Sequence, residues 1–266
     1  MPPSAAIVTL AAAGLIIGSF LNVCIYRLPR RESVVWPASR CTSCDRPLAW
    51  FENIPVASWA VLGGRCRTCK ARISVVYPIV EVTTAVLWVG AYLAWGWTPL
   101  LALRLVFICT LVVLFAIDLE HQILPNIITI PGTVIGLAAS LALPPGWTSS
   151  AIGLAAGGLF PFAVAEAYAR VRGRVGMGMG DFKMLAMVGA FLGWPLIWMT
   201  IIIACVLGVV IGGGGLLISR RGVWATKIPF GTFIAVAALI CAFWEGAVIE
   251  GYQRAIAAYL TWAGFV

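Results

Sequence analysis

Two stretches place a carboxylate where an otherwise apolar chain has little reason to carry one. "AIDLEHQILPN" contains Asp118, and "VGMGMGDFKM", residues 175 to 184, contains Asp181. An apolar helix runs directly into the first aspartate and Pro125 restarts the chain after it; the second opens the next apolar run. Gly178 and Gly180 precede Asp181, and the missing side chains leave room for another backbone to approach its carboxylate. Two aspartates from separate helices at one membrane level suit aspartyl proteolysis. One carboxylate must be ionised to activate water while the other stays protonated to polarise the scissile carbonyl, and proximity separates their titrations.

A second constellation is "CTSC" at 41 to 44 with "CRTC" at 66 to 69, a C-x2-C-x21-C-x2-C pattern. Four thiolates, Cys41, Cys44, Cys66 and Cys69, satisfy tetrahedral Zn2+ at about 2.3 Å without redox chemistry. Disulfides or thioredoxin-like pairs are the competing reading, but no strand-helix-strand pattern surrounds either motif and the expected side of the membrane is reducing. A segment under about 70 residues rarely holds a core unaided, so a metal staple also meets a folding need. Cys24, Cys109, Cys205 and Cys241 sit singly in apolar runs and read as packing residues.

The elements that must position these groups follow from composition. The chain is 62% hydrophobic and 11% charged, with a mean hydropathy of +1.00, so a soluble surface cannot be built from its 18 basic and 10 acidic side chains. Apolar runs fall near 5 to 26, 75 to 95, 99 to 117, 126 to 143, 150 to 169, 182 to 193, 196 to 218 and 228 to 249. The expected fold is therefore an all-α polytopic membrane protein of about eight transmembrane helices, with a small zinc-stapled domain between helices 1 and 2. The short sixth run is kept on parity: Arg170, Arg172 and Arg174 precede it, and Arg220 and Arg221 follow the seventh. Two crossings must separate these clusters if both are cytosolic.

Arg27, Arg30, Arg31, Arg40, Arg46, Arg65, Arg67, Lys70 and Arg72 lie between the first two runs, which places that segment in the cytosol and both termini outside. The first run lacks a basic region ahead of it and reads as a retained anchor. The expected division is a first helix at 1–26, a cytosolic four-cysteine domain at 27–74, a seven-helix membrane domain at 75–249 and a short tail at 250–266. The net charge of +8 is explained by basic loops against a lipid bilayer, with no nucleic-acid partner.

Other polar residues near the runs have two readings. Glu81, Glu120 and Glu166 are expected at the cytosolic face with the aspartates. Snorkelling from a helix end accounts for Glu120, Arg104 and Glu245, while Glu81 and Glu166 fit that reading and a substrate-facing role equally. Glycines at 208 and 212 to 215 read as helix packing. A proton-coupled transporter is the alternative use of membrane carboxylates, but it would bury them near the midplane of two matching halves. A serine protease lacks its base, since His121 is the single histidine and no G-x-S-x-G is present. A metalloprotease needs an open coordination position, and four thiolates leave none.

Taken in order, "GSFLNVCIYRLPR" (18 to 30), the four cysteines, Ile54, Pro55 and Ser58, "YPIVE" ending at Glu81, "DLEHQILPN", "GMGMGDFKMLAMVGAFLGW" (176 to 194) and "KIPFG" (227 to 231) resemble the bacterial type IV prepilin peptidases, G-x-G-D intramembrane aspartyl proteases. The resemblance runs from Gly14 to about Ala237. It implies that Asp118 and Asp181 cleave basic leaders from prepilins or type II secretion pseudopilins at the cytosolic face of the bacterial inner membrane. It also implies that a member with four cysteines N-methylates the new terminus with S-adenosylmethionine. No glycine-rich nucleoside fingerprint supports the methyl-donor site independently. Asn22, Arg27 and Glu81 are the candidates nearest the loop and membrane junction, with a loop-anchoring set as the other reading. Two departures, Thr232 after "PFG" where many members have proline and the residues past Glu250, are expected to lie away from the dyad. The oligomeric state is left open.

Overall fold

Helix α1 (Pro3–Arg27) is the direct outcome of an apolar run with proline at its start and Leu28-Pro29 at its end. The computed structural model describes residues 2–174, 176–213 and 229–262. Among them every regular element is helical, apart from two isolated β-bridges. The chain divides into two units, Met1–Ile117 and Asp118–Val266.

In the first unit, α1 packs against α3 (Val76–Trp95). The crossing is close because α1 presents Gly14 and Gly18. A Cβ at these positions would lie 2.6 Å from the Ala85 Cα and 2.7 Å from the Glu81 Cα, the small-xxx-small arrangement that lets backbones approach. Between the two helices runs a loop holding a 3-10 turn at Trp50–Asn53 and the short α2 (Ala57–Val61). Helix α4 (Pro99–His121) begins in this unit, and its last turn belongs to the second.

The second unit contains α5 (Asn126–Ala139), α6 (Trp147–Arg172), α7 (Met179–Leu192), α8 (Leu196–Leu207, continued by a π turn at Gly208–Gly213), α9 (Phe230–Phe243) and α10 (Glu245–Trp262). Helix α7, at 14 residues, is about 21 Å long and buried over nearly its whole length from Phe182 to Leu192. It packs on α6, α5, α8 and α9. Its surroundings explain its short glycine-rich sequence: the space a Cβ would need at Gly189 is taken by the Gly153 carbonyl of α6, and that at Gly136 of α5 by Phe191 and Ala190. Ser150 donates to the Ala190 carbonyl at 2.7 Å, closing the α6 contact with a hydrogen bond. Gly173, in the left-handed region at φ +65°, stops α6 before the "GMGMGD" segment.

Among the described residues four helices, Pro3–Arg27, Val76–Trp95, Pro99–His121 and Trp147–Arg172, are long and apolar enough to cross a membrane. Counting Phe230–Phe243 with Glu245–Trp262 as one span gives five, although that pair bends by 91°. The bend corrects the expected run at 228 to 249 followed by a tail: the helix stops at Phe243, and polar residues from Glu245 onward enter a separate helix reaching Trp262. The glycine reading shifts too. At Gly208 a Cβ would meet Phe233 at an ordinary 3.5 Å, so the tight crossings are at Gly14, Gly18, Gly153, Gly157 and Gly189. Arg220, Arg221, Gly214, Gly215, Lys227 and Ile228, on which the sequence reading also drew, lie outside the described residues.

Candidate active site and metal centre

The two Cys-x-x-Cys motifs fold alike. The bridges Arg40↔Pro47 and Arg65↔Arg72 bracket them. In the first, Cys41 N–H donates to the Arg46 carbonyl at 2.9 Å and Asp45 N–H to the Cys41 carbonyl at 2.9 Å. The second repeats this with Cys66 to Ala71 at 2.8 Å and Lys70 to Cys66 at 3.1 Å. The residue after each second cysteine turns the chain with positive φ, +54° at Asp45 and +60° at Lys70. Arg46 pairs with the buried Glu52 at 2.6 Å, and Glu52 also accepts the Ala49 N–H at 2.8 Å, which ties the first motif to the 3-10 turn.

All four sulfur atoms lie within 4.8 Å of one another. Cys41 Sγ and Cys69 Sγ are 3.8 Å apart, and a tetrahedron with metal–sulfur bonds of about 2.3 Å has edges of about 3.8 Å. The donor set fits a tetrahedral divalent ion. The electrostatics agree: the backbone N–H groups of Cys69 and Thr68 bring the Cys66 thiol down to about 6, so one ligand is ready as thiolate. At Cys69 the Ala71 N–H is outweighed by burial and the neighbouring sulfurs, which push it up to about 11. A cation removes that mutual repulsion.

Asn22, Arg27 and Glu81 are buried in the same unit; Arg27 and Glu81 hold the loop's backbone and Asn22 the first turn of α3. Asn22 donates to the Tyr77 carbonyl at 3.0 Å, Arg27 to the Ser33 and Ala38 carbonyls at 2.9 and 3.4 Å, and Glu81 accepts the Val56 N–H at 2.7 Å. These bonds describe an anchor. They do not by themselves form a nucleoside cradle.

In the second unit, α4 delivers Asp118, 5% exposed, and the first turn of α7 delivers Asp181. Asp118 Oδ2 accepts the Thr232 N–H at 2.8 Å and the Thr232 hydroxyl at 3.2 Å. Asp181 Oδ2 accepts the Gly178 N–H at 3.2 Å. Asp118 is near enough for its charge to act on Asp181. Leu124, in the turn between α4 and α5, lies beside both: a Cβ at Gly180 would sit 2.9 Å from the Leu124 Cβ, and one at Gly231 would sit 3.0 Å from both the Asp118 carboxyl carbon and Leu124 Cδ1. The space beside Gly180 is thus taken by Leu124, while Gly178 keeps its N–H on Asp181. Lys183 donates to Asn126 Oδ1 at 2.9 Å and ties α7 to the start of α5. Glu166 engages Arg170 at 3.0 Å on the exposed face of α6.

Thr232 corrects the sequence expectation, which placed it away from the aspartates. Helix α9 starts after Pro229, which has no capping side chain, so its first N–H groups need an acceptor. Asp118 supplies one. A helix start with an uncapped proline ahead of it was the signal in the sequence, but the choice of acceptor is a tertiary fact.

Residues 12–95 match the family described as Bacterial Peptidase A24 N-terminal domain, and residues 105–213 match the Type IV leader peptidase family. The chain is 34% identical over 289 residues to the prepilin leader peptidase/N-methyltransferase of Pseudomonas aeruginosa, covering 99% of this chain and 96% of that one. The protein of the same name from Aeromonas hydrophila is 37% identical over 267 residues, 90% of each chain. That from Myxococcus xanthus is 42% identical over 206 residues, which is 77% of this chain and 62% of that relative's length. No solved structure matches the chain.

Proposed function

Because the chain belongs to the type IV leader peptidase family, we propose that it removes the basic leader of prepilins or pseudopilins with Asp118 and Asp181 as its catalytic pair, and methylates the exposed terminus. One observation carries the assignment of the pair: separate helices deliver two carboxylates beside Leu124, and each accepts an N–H from a helix start. Backbone donors fix their orientation without adding a competing charge.

The chemistry follows from that geometry. The ionised carboxylate takes a proton from water as the water oxygen adds to the scissile carbonyl carbon, and the protonated partner gives its proton to the carbonyl oxygen. The tetrahedral diol then collapses: the first carboxyl delivers its proton to the leaving nitrogen, and the second recovers one from the diol hydroxyl. No charge has to leave the site, which suits a pair beside lipid.

The four-cysteine cluster is read as a structural zinc site in a cytosolic domain at 27–74, since four thiolates close the coordination sphere. S-adenosylmethionine would supply the methyl group, and Asn22, Arg27 and Glu81 are placed at the loop junction near which that step is expected. Residues 1–26 form the first crossing and the residues from 75 onward the seven-helix peptidase domain, whose last crossing ends at Phe243 before the separate helix Glu245–Trp262, with eight crossings in the inner membrane and both termini outside. Parity between the basic clusters supports the short α7 as a crossing. The transporter reading gains no support, because both carboxylates sit at helix ends.

Incubating the purified chain with a prepilin tests the reading. A mass loss equal to the leader, abolished in Asp118→Asn and in Asp181→Asn, is the expected result. An intact prepilin with wild-type protein would refute it.

A further inference from the structure

The two aspartates are not equivalent in their surroundings. At Asp118 both Thr232 donors converge on one oxygen, Oδ2, at 2.8 and 3.2 Å, and Gly231 leaves room for this carboxyl, since a Cβ there would sit 3.0 Å from its carbon. Among the described residues Asp181 accepts the Gly178 N–H alone, at 3.2 Å. Both donors at Asp118 belong to the third residue of α9, in the first turn, where N–H groups have no partner within their own helix. Asp118 therefore caps α9 from another element and sits at the positive end of its dipole.

We propose that Thr232 is a positioning residue that holds Asp118 as the ionised, proton-accepting member of the pair and leaves Asp181 to carry the shared proton. The inference rests on the aspartyl-protease reading above and deepens it. Hydrogen bonds donated to a carboxylate favour its charged form, and charge-assisted bonds are the stronger ones. With one proton between two nearby carboxylates, the group with more donors gives it up. Asp118 Oδ2 is then occupied by Thr232, and Oδ1 is the oxygen that takes the proton from water. That proton later passes to the leaving nitrogen. Asp181 gives its proton to the carbonyl oxygen and recovers one from the diol.

Among the described residues few other charges disturb this bias. Asp181 is the ionisable group that faces Asp118 from α7, while Lys183 of that helix is turned to Asn126. Helix α5 carries no ionisable side chain, α9 carries only Cys241 near its far end, and Glu120 and His121 follow Asp118 at the end of α4. Among the described residues the start of α9 and Asp181 set the local field at Asp118.

The test is the pH profile of kcat for leader cleavage by the full chain in bilayers, for Thr232→Val, Thr232→Ser and Thr232→Pro. Valine keeps the N–H and the shape but loses the hydroxyl. The acid limb, which reports protonation of the ionised member, should move up by about half to one pH unit, the effect of losing one hydrogen bond to a charged group. KM should change little. Serine should restore the wild-type limb. Proline, tolerated in a first helical turn, removes both donors and should move the limb further. Coincident acid limbs for valine and wild type, a serine variant shifted as far as valine, or a shift confined to the basic limb would overturn the proposal. Thermal melting of each variant separates lost folding from lost positioning; if valine and proline both fail to fold, Gly178→Ala, which perturbs the donor on Asp181, decides it: a move of the basic limb alone is the expected result, and a move of the acid limb would overturn the proposal. Cleavage by Asp118→Asn would instead sink the protease assignment itself, whatever Thr232 does.

Discussion

Glu81 accepts the N–H of Val56 at 2.7 Å, and Val56 is a β-branched residue held at φ +59°. The pair joins α3 to the start of α2, and the carboxylate holds in place a backbone conformation that valine disfavours. Glu81 is only 6% exposed. This fits an anchor better than a group that steers leaders. Glu81→Ala should therefore open the 27–74 loop to proteolysis and cost about 1–3 kcal/mol, the penalty for a buried donor left unsatisfied. Val56→Gly, which relieves the backbone, should raise protease resistance. KM in Glu81→Gln should shift equally for basic and charge-trimmed leaders; a rise confined to basic leaders would restore the steering role. Glu166, 45% exposed at its side chain beside Arg170, remains the better candidate for steering.

The metal site predicts its own dependence. One zinc per chain should be found by elemental analysis, and Cys→Ser at 41, 44, 66 or 69 should abolish it. Binding needs thiolates, so reloading of stripped protein should weaken as pH falls through about 6, where Cys66 takes up its proton. The folded-state value lies below the ordinary 9.0, so this contribution is complete above the ordinary value and lost as pH falls through the lowered one. Lys70→Gly should improve resistance to chelators by more than Asp45→Gly, because both residues have positive φ and aspartate tolerates that region better than lysine.

Much of this was legible in the sequence because it is local. The cysteine spacing specified a four-sulfur cluster, and hydrophobic runs specified α1, α3, α4 and α6 with small boundary errors. The run beginning near 228 extends to 249 in the sequence, whereas its helix ends at Phe243 and Glu245 opens another. At the site, Asp118 and Asp181 were marked by their chain neighbours. Thr232 was not, because its role depends on a contact 114 positions away. Gly180 was marked but for another neighbour: its missing Cβ makes room for Leu124.

That last contact is testable. Gly180→Ala would put a Cβ 2.9 Å from the Leu124 Cβ, closer than side chains tolerate, so α7 or the turn must shift. Cleavage should fall by about tenfold or more, given that small misplacements of reacting groups are costly. Leu124→Ala should restore much of the rate in the Gly180→Ala background while lowering it in wild type. Independent, additive losses in the double-mutant cycle would show that the glycine serves something other than Leu124.

The dyad gives the strongest expectation. Asparagine preserves size at Asp118 or Asp181 but cannot cycle between acid and base, so Asp118→Asn and Asp181→Asn should each lose cleavage almost completely. The double mutant should be scarcely worse, because residues acting as a unit are non-additive. In wild type, two interacting carboxylates should give a bell-shaped profile whose limbs belong to the pair. The metal cluster belongs to the other unit of the chain, so zinc content should be unchanged in all three variants and methylation of a pre-cleaved pilin should survive. Substantial leader cleavage by either single variant, with contaminating wild-type enzyme excluded, would mean that the reacting carboxylates lie elsewhere; loss of zinc in the same variants would mean that the substitutions had unfolded the chain and not its chemistry alone.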